Sequence, residues 1–220
     1  MVAIALVSRF TIPVALHLDH GDSHELVRQA VDAGYTSVML DFSARPLREN
    51  TEALTRVVAI ARSRGISVEG EIGHVGKADA VTVESAGDST LTVPEEAAIF
   101  AAETGVDALA VSIGNAHGKY TRLPKLDFER LAAIHARVRI PLVLHGGSGT
   151  PDADLRRAIE LGIAKVNVAT ELVAAWRDTL RAQWNAGQNM WAPLAMAQAR
   201  RALIPVVEKW LRLTGAAVRA

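Results

Sequence analysis

Pro-Val-Ala-Leu-His-Leu-Asp-His-Gly, residues 13–21, is the stretch on which the reading of the fold turns. A proline start followed by alternating apolar residues predicts a short buried strand over 13–19. Asp19 and His20 fall where that strand stops, and Gly21 turns the chain towards a helix. In α/β barrels the C-terminal ends of the strands carry the chemistry. An acid beside an imidazole at such an end suits a proton carrier next to a metal ligand. Asp-His-Gly also serves as an ordinary strand-to-helix turn, with Asp22 or Ser23 as the helix N-cap.

Outward from this stretch, strand and helix patterns alternate. Further strands are predicted at 36–41, 66–72, 107–112, 140–145 and 163–168, and helices at 23–33, 47–64, 94–104, 127–137, 152–161 and 170–186. Gly34, Gly65, Gly105 and Gly162 stand where helix C′ glycines belong. A longer helical region over about 190–213 follows, with Pro193 and Pro205. Such βα repeats call for a parallel sheet with right-handed crossovers. A closed (β/α)8 barrel needs eight strands and about 250 residues. Six are found, and the dozen residues before the first read as the tail of a helix. The expectation is a TIM-type barrel, N-terminally incomplete, with six strands corresponding to the third to eighth of a barrel.

Composition excludes several classes. The 220 residues are 50% hydrophobic and 22% charged, which suits a single domain over 1–220. The 24 basic and 24 acidic side chains cancel, so no net field favours nucleic acid or an anionic membrane as partner. Without cysteine, disulfides and thiolate metal sites are excluded from this chain. Residues 1–7 are too short for a signal-peptide core, and no apolar run approaches the ~20 residues that span a bilayer. A soluble, cytoplasmic protein is expected.

Polar residues gather at the strand ends: Asp19 and His20, Asp41, Glu69 and Glu71, His117 in the loop after Ser112, His145, and Asn167. Three imidazoles with one open position make the ligand set of a catalytic zinc. Each also has a plain alternative: His20 as a helix cap, His117 as a solvated loop residue, His145 as a satisfied core histidine. His145 runs into Gly146-Gly147-Ser148-Gly149 and then Pro151 at a helix start, and Asn167 runs into Val168-Ala169-Thr170 at the next. N–H groups at two adjacent helix N-termini would form an anion site. The loops over 73–93 and 113–126 are long enough to be functional lids.

The chain resembles the class II, metal-dependent ketose-bisphosphate aldolases. The matching motifs are Leu-His-Leu-Asp-His at 16–20, Met-Leu-Asp at 39–41, Val-Glu-Gly-Glu-Ile-Gly at 68–73, Gly-Asn-Ala-His-Gly at 114–118, Leu-His-Gly-Gly-Ser-Gly at 144–149 and Lys-Val-Asn-Val-Ala-Thr-Glu at 165–171. They stand in family order from residue 13 to about 180. The resemblance implies zinc held by His20, His117 and His145, and a second cation site near Asp41 and Glu71. Asp19 would exchange the proton of the substrate C4 oxygen. Gly118, Gly146, Gly147, Ser148, Asn167, Val168, Ala169 and Thr170 would hold a dihydroxyacetone phosphate half. Zinc would polarise the ketose carbonyl and stabilise the enediolate left when the C3–C4 bond breaks. No Schiff-base lysine is then needed, and Lys165, mid-strand, reads as structural.

The implied reaction is cleavage of fructose or tagatose 1,6-bisphosphate, a small phosphorylated sugar, by a homo-oligomer such as a dimer or tetramer. Two other readings stand beside it: a catalytically silent metal- or phosphate-binding fragment or partner subunit, and a zinc hydrolase on the same barrel. Departures from the family pattern lie at Asp41-Phe42-Ser43-Ala44, where Gly and His are usual in place of Phe42 and Ala44. His74 stands where the lid has a basic residue, and Glu84 is the nearest match to the acidic lid residue. About 60 residues, two βα units of about 30 each, would complete the barrel.

Overall fold

The computed structural model describes residues 12–76, 90–118, 120, 123–186 and 191–218. Six strands alternate with helices: β1 (His17–Gly21), α1 (His24–Asp32), β2 (Ser37–Leu40), α2 (Leu47–Arg62), β3 (Ser67–Ile72), α3 (Pro94–Thr104), β4 (Ala108–Val111), α4 (Phe128–Arg137), β5 (Leu142–Leu144), α5 (Asp152–Glu160) and β6 (Ile163–Val166). Two helices follow, α6 (Thr170–Asn185) and α7 (Ala192–Leu213). The strands form one sheet in the order β1-β2-β3-β4-β5-β6, every neighbouring pair parallel. This is an α/β fold whose strands make half of a barrel wall. The predicted helix tail at the start falls on residues 1–11, outside the described residues.

Local chemistry accounts for the boundaries. Ser23, one of the two expected caps, accepts the Leu26 N–H at the start of α1. All four expected glycines have positive φ, and Gly105 is the left-handed C-cap of α3. Pro151 is the N-cap of α5 rather than a residue of its first turn. β1 starts at His17, later than the proline suggested. Thr36 occupies both polar groups of Leu16, its Oγ1 accepting the Leu16 N–H and its N–H reaching the Leu16 carbonyl, so the ladder begins one residue on.

The two faces of the sheet differ. Val38, Leu40, Val68, Leu109, Val111, Leu142 and Leu144 join one apolar core with Val27, Leu54, Val57, Phe100, Leu131 and Leu155 from the helices. The opposite face carries Glu69 and Glu71, both buried. A period of two puts both carboxylates on that side of β3, while Gly70 between them faces Phe100.

The sheet is strongly curved. Six flat strands spaced about 4.8 Å apart would hold their edges about 24 Å from each other. Yet the Asn167 amide, just past β6, donates to Asp19 Oδ1 of β1 over 3.0 Å. The two edge strands therefore approach across the concave side. Away from that contact, an apolar groove of about 650 Å³ runs between β6 and the end of α7, lined by Ile12, Ile163, Val166 and Leu211.

Candidate active site

Consecutive strand residues point to opposite faces, so Asp19 and His20 cannot both serve one site from a regular strand. A bulge resolves this. From Leu18 to Gly21, β1 advances three residues while β2 advances two, Val38 to Leu40. His20 sits inside the bulge with φ +47, the sole non-glycine with positive φ among the described residues. Gly21 follows because a Cβ there would press against the Met39 carbonyl at 2.6 Å.

His117 and His145 arrive from other directions. His145 directly follows β5 and is wholly buried. Its carbonyl accepts from buried Asn115, whose Oδ1 in turn accepts the Ile113 N–H, and so the start of the 113–126 loop is fixed. The Tyr120 hydroxyl accepts the Ala116 N–H and donates to the Gly146 carbonyl, clamping that loop to the glycine-rich turn. Gly146 has φ +66, and a side chain there would collide with the Ala116 carbonyl. The His117 N–H reaches the Gly76 carbonyl at 2.8 Å.

The three imidazoles converge. Ring centroids lie 4.8 Å (His20–His117), 4.6 Å (His20–His145) and 5.6 Å (His117–His145) apart. A ligand atom from each falls within 4.8 Å of the others, and His20, Asp41 and Glu71 form a second such group.

Hydrogen bonds fix which nitrogens face inward. His20 Nδ1 meets Asp41 Oδ2 at 2.7 Å, and His145 Nε2 meets Glu69 Oε1 at 2.8 Å. Burial raises the pKa of Asp41, but the bonds to His20 and Ser43 outweigh it and hold the carboxyl well below its usual range. Glu69 is likewise pushed up by burial and brought down to about 2 by His145 and Lys165. Carboxylates only accept, so both outer ring nitrogens carry hydrogen. The inner pair, His20 Nε2 and His145 Nδ1, then face each other at 2.9 Å with their lone pairs. A proton or a cation between them resolves that opposition. Burial lowers the His20 pKa, yet the bond to Asp41 and the charges of Asp19 and Glu71 leave it raised overall. His117 is lowered to about 4, by burial and by the two neighbouring rings.

The donor set fits a metal ion. Glu71 Oε2 is buried without a hydrogen-bond partner and lies 3.4 Å from His145 Nδ1, while Oε1 accepts the Val75 N–H. Burial first, and the Asp41 charge second, push Glu71 up to about 7. A cation among the inner nitrogens would answer the orphaned oxygen and the two opposed lone pairs. The carboxylates behind His20 and His145 match the usual second layer of such centres.

On the other flank the two turns are joined. The Gly147 N–H donates to the Asn167 carbonyl, and the Glu171 N–H to Ser148 Oγ at 3.3 Å. The N-cap of α6 is Ala169, which offers no side-chain acceptor of its own; Ser148 takes the Glu171 N–H, and the remainder of the first turn is where an anion could be received. Glu171 tethers this turn to α7, accepting from Gly149 N–H, Trp210 Nε1 and Lys209 Nζ.

Three side chains stand closer to this chemistry than the sequence suggested. Lys165 Nζ donates to Glu69 Oε2 at 2.8 Å and to Asn167 Oδ1 at 2.7 Å. His17 binds Ser37 through Nδ1 and lies 3.8 Å from Glu69. The available signal was the spacing: His17 and Asp19, Glu69 and Glu71, and Lys165 and Asn167 are pairs two apart in or beside a strand. In the departing turn, Ser43 donates to Asp41 Oδ1 and contacts His74 Nδ1, while Arg45 stacks over Phe42 at 4.3 Å. Glu84 lies outside the described residues.

The family model for class II fructose-bisphosphate aldolases matches residues 1–219. A 6-phospho-5-dehydro-2-deoxy-D-gluconate aldolase from Shouchella clausii is 45% identical over 212 residues, 96% of this chain and 71% of that protein. The crystal structure of the YdjI aldolase from Escherichia coli K12 matches with a TM-score of 0.84 at 36% identity, over 97% of this chain and 74% of that one. A fructose-bisphosphate aldolase from Campylobacter jejuni, 22% identical, shares the fold with a TM-score of 0.73, over 96% of this chain and 73% of its own. The chain belongs to the class II fructose-bisphosphate aldolase family and is accordingly a lyase. Class II aldolases are zinc-dependent, and the His, Asp and Glu groups here could hold a metal. Among the described residues no helix is long and apolar enough to cross a membrane.

Proposed function

We propose that this protein performs zinc-dependent retro-aldol cleavage of a phosphorylated ketose, with His20, His117 and His145 as ligands. The observation that carries this is the convergence of three imidazoles beside Asp19, with an orphaned Glu71 oxygen aimed among them. Bound there, zinc would supply Lewis-acid stabilisation of the charge left on the ketose carbonyl oxygen. Asp19, half exposed and held by Asn167, takes the proton from the C4 hydroxyl as the C3–C4 bond breaks. The bonding pair stays with the ketose half, C4 leaves as an aldehyde, and a proton taken up at C3 balances the one lost to Asp19 and completes the ketone product. Asp41 and Glu71 are proposed to border a second cation site. Gly118, Gly146, Gly147, Ser148 and Asn167 to Thr170 hold the phosphate-bearing half, supported by a start of α6 whose N-cap residue, Ala169, offers no side-chain acceptor.

The proposed substrates are the 1,6-bisphosphates of fructose or tagatose, giving dihydroxyacetone phosphate and glyceraldehyde 3-phosphate. A second reading is 6-phospho-5-dehydro-2-deoxy-D-gluconate, the substrate named for the relative from Shouchella clausii. The turn at Phe42 and Ala44, unlike the usual family turn and next to Asp41, favours a changed aldehyde half. The fold is proposed as one domain, the larger part of an eight-stranded barrel. Exposed Trp184, Trp191 and Ile204 on and beside α6 and α7 support a homo-oligomer, and a cytoplasmic location suits a phosphorylated-sugar substrate.

The test is bound metal per chain on purified protein, with all three substrates assayed on the same sample. About one zinc with chelator-sensitive cleavage of one of them supports the reading. Zinc without any cleavage favours a silent fragment or partner subunit, and absence of zinc overturns the ligand assignment.

A further inference from the structure

Glu69 and Lys165 come from strands three apart in the sheet order, so their contact crosses the concave side rather than running along a ladder. Glu69 is buried with both oxygens engaged, Oε1 by His145 Nε2 and Oε2 by Lys165 Nζ. The same ammonium donates to Asn167 Oδ1, and the Asn167 amide nitrogen donates to Asp19 Oδ1. One unbroken chain of hydrogen bonds thus links a proposed metal ligand to the proposed acid–base residue.

Stability alone does not explain this arrangement. Replacing a buried ion pair with apolar residues of similar volume is often neutral or stabilising. The pair has a consequence for orientation instead. A carboxylate fixed by Lys165 accepts the ring hydrogen on His145 Nε2, leaving Nδ1 as the nitrogen that faces His20 and Glu71. An amide whose oxygen is taken by Lys165 must present its NH2 to Asp19. Both choices are set by one side chain that touches neither of the groups concerned.

Resting on the aldolase reading, we propose that Lys165 is a positioning residue: through Glu69 it sets the metal-facing nitrogen of His145, and through Asn167 it orients Asp19. Partners of this kind change metal affinity by about 10–100-fold when removed.

The experiment is a double-mutant cycle on purified protein, with Lys165→Met, Glu69→Gln and both together. Zinc affinity by chelator competition is the main readout, supported by the absorption spectrum of the cobalt-substituted protein. Lys165→Met should weaken zinc by about tenfold or more and alter the cobalt spectrum. Its thermal midpoint should also fall, since Glu69 is left buried without its ammonium, and the two metal readouts on folded protein are what separate positioning from stability. Because the effect passes through Glu69, the same substitution in Glu69→Gln should cost little further affinity. In cleavage, Lys165→Met with zinc saturating should lower kcat more than it changes KM. Wild-type affinity and an unaltered cobalt spectrum in Lys165→Met, or full additivity of the two substitutions, would overturn the proposal. If Lys165→Met does not fold, Glu69→Gln carries the test, since it keeps an acceptor for the ring hydrogen while removing the charge; wild-type affinity there is equally fatal. Wild-type protein that takes up no metal fails at the first step, and the aldolase reading falls with the proposal.

Discussion

Leu144 and His145 are consecutive residues, both wholly buried, and they belong to opposite worlds. Leu144 faces outward into the apolar core between sheet and helices, where any side chain of similar shape would serve. His145 faces inward, where Glu69 accepts its Nε2 hydrogen and its Nδ1 is aimed at His20 Nε2 and the Glu71 carboxylate. The difference shows how one parallel sheet divides its labour: the outer face holds the fold together, and the inner face spends buried charge on geometry.

Substituting these neighbours should separate the two roles. The largest effect is expected from His145→Ala, which removes a proposed ligand and should abolish zinc retention and cleavage together. Full metal occupancy in that variant would break the contrast. Asp19→Ala comes next: zinc should stay while turnover falls by about 10²–10⁴-fold, the usual worth of a positioned acid–base group. Unchanged turnover would remove Asp19 from the mechanism. Leu144→Ala should do the reverse of His145→Ala, costing about 2–5 kcal/mol in denaturant unfolding while the folded fraction binds zinc normally. Loss of metal without loss of stability would show that the faces are not separable.

The smallest effect concerns pH. His20 has a raised pKa, so protons compete with metal for its inner nitrogen. Zinc affinity should fall by about tenfold per pH unit once pH drops below that value, and a flat profile in chelator competition would exclude His20 as a ligand. In the metal-free protein the sign reverses. The raised His20 contributes stability that is complete below its unfolded value of 6.5 and is lost as pH rises through the folded one. Asp41, lowered, contributes above its unfolded value of 3.8. Thermal midpoints of metal-free protein should therefore gain most from this pair between those two values.

Much of this division was legible in the sequence. Alternating strand and helix patterns located all six strands, and the three histidines at strand ends do converge. What the sequence hid depends on curvature. Lys165 reads as a mid-strand residue because its partner Glu69 lies 96 positions earlier, across a concave surface that no local pattern describes. The bulge at Asp19 and His20 was equally hidden, since a register shift between β1 and β2 leaves no mark on composition. The period of two at Glu69 and Glu71 was visible, but it names a face without saying what lies opposite.

The backbone of His20 has an evolutionary consequence. A non-glycine residue in the left-handed region carries strain on the order of 1–3 kcal/mol, and here φ is +47. Glycine or asparagine would adopt the same conformation more easily. A lineage released from selection for the imidazole could shed that strain by a single replacement, giving up the bond to Asp41 in exchange. Its presence beside Asp19 fits the use proposed for this site.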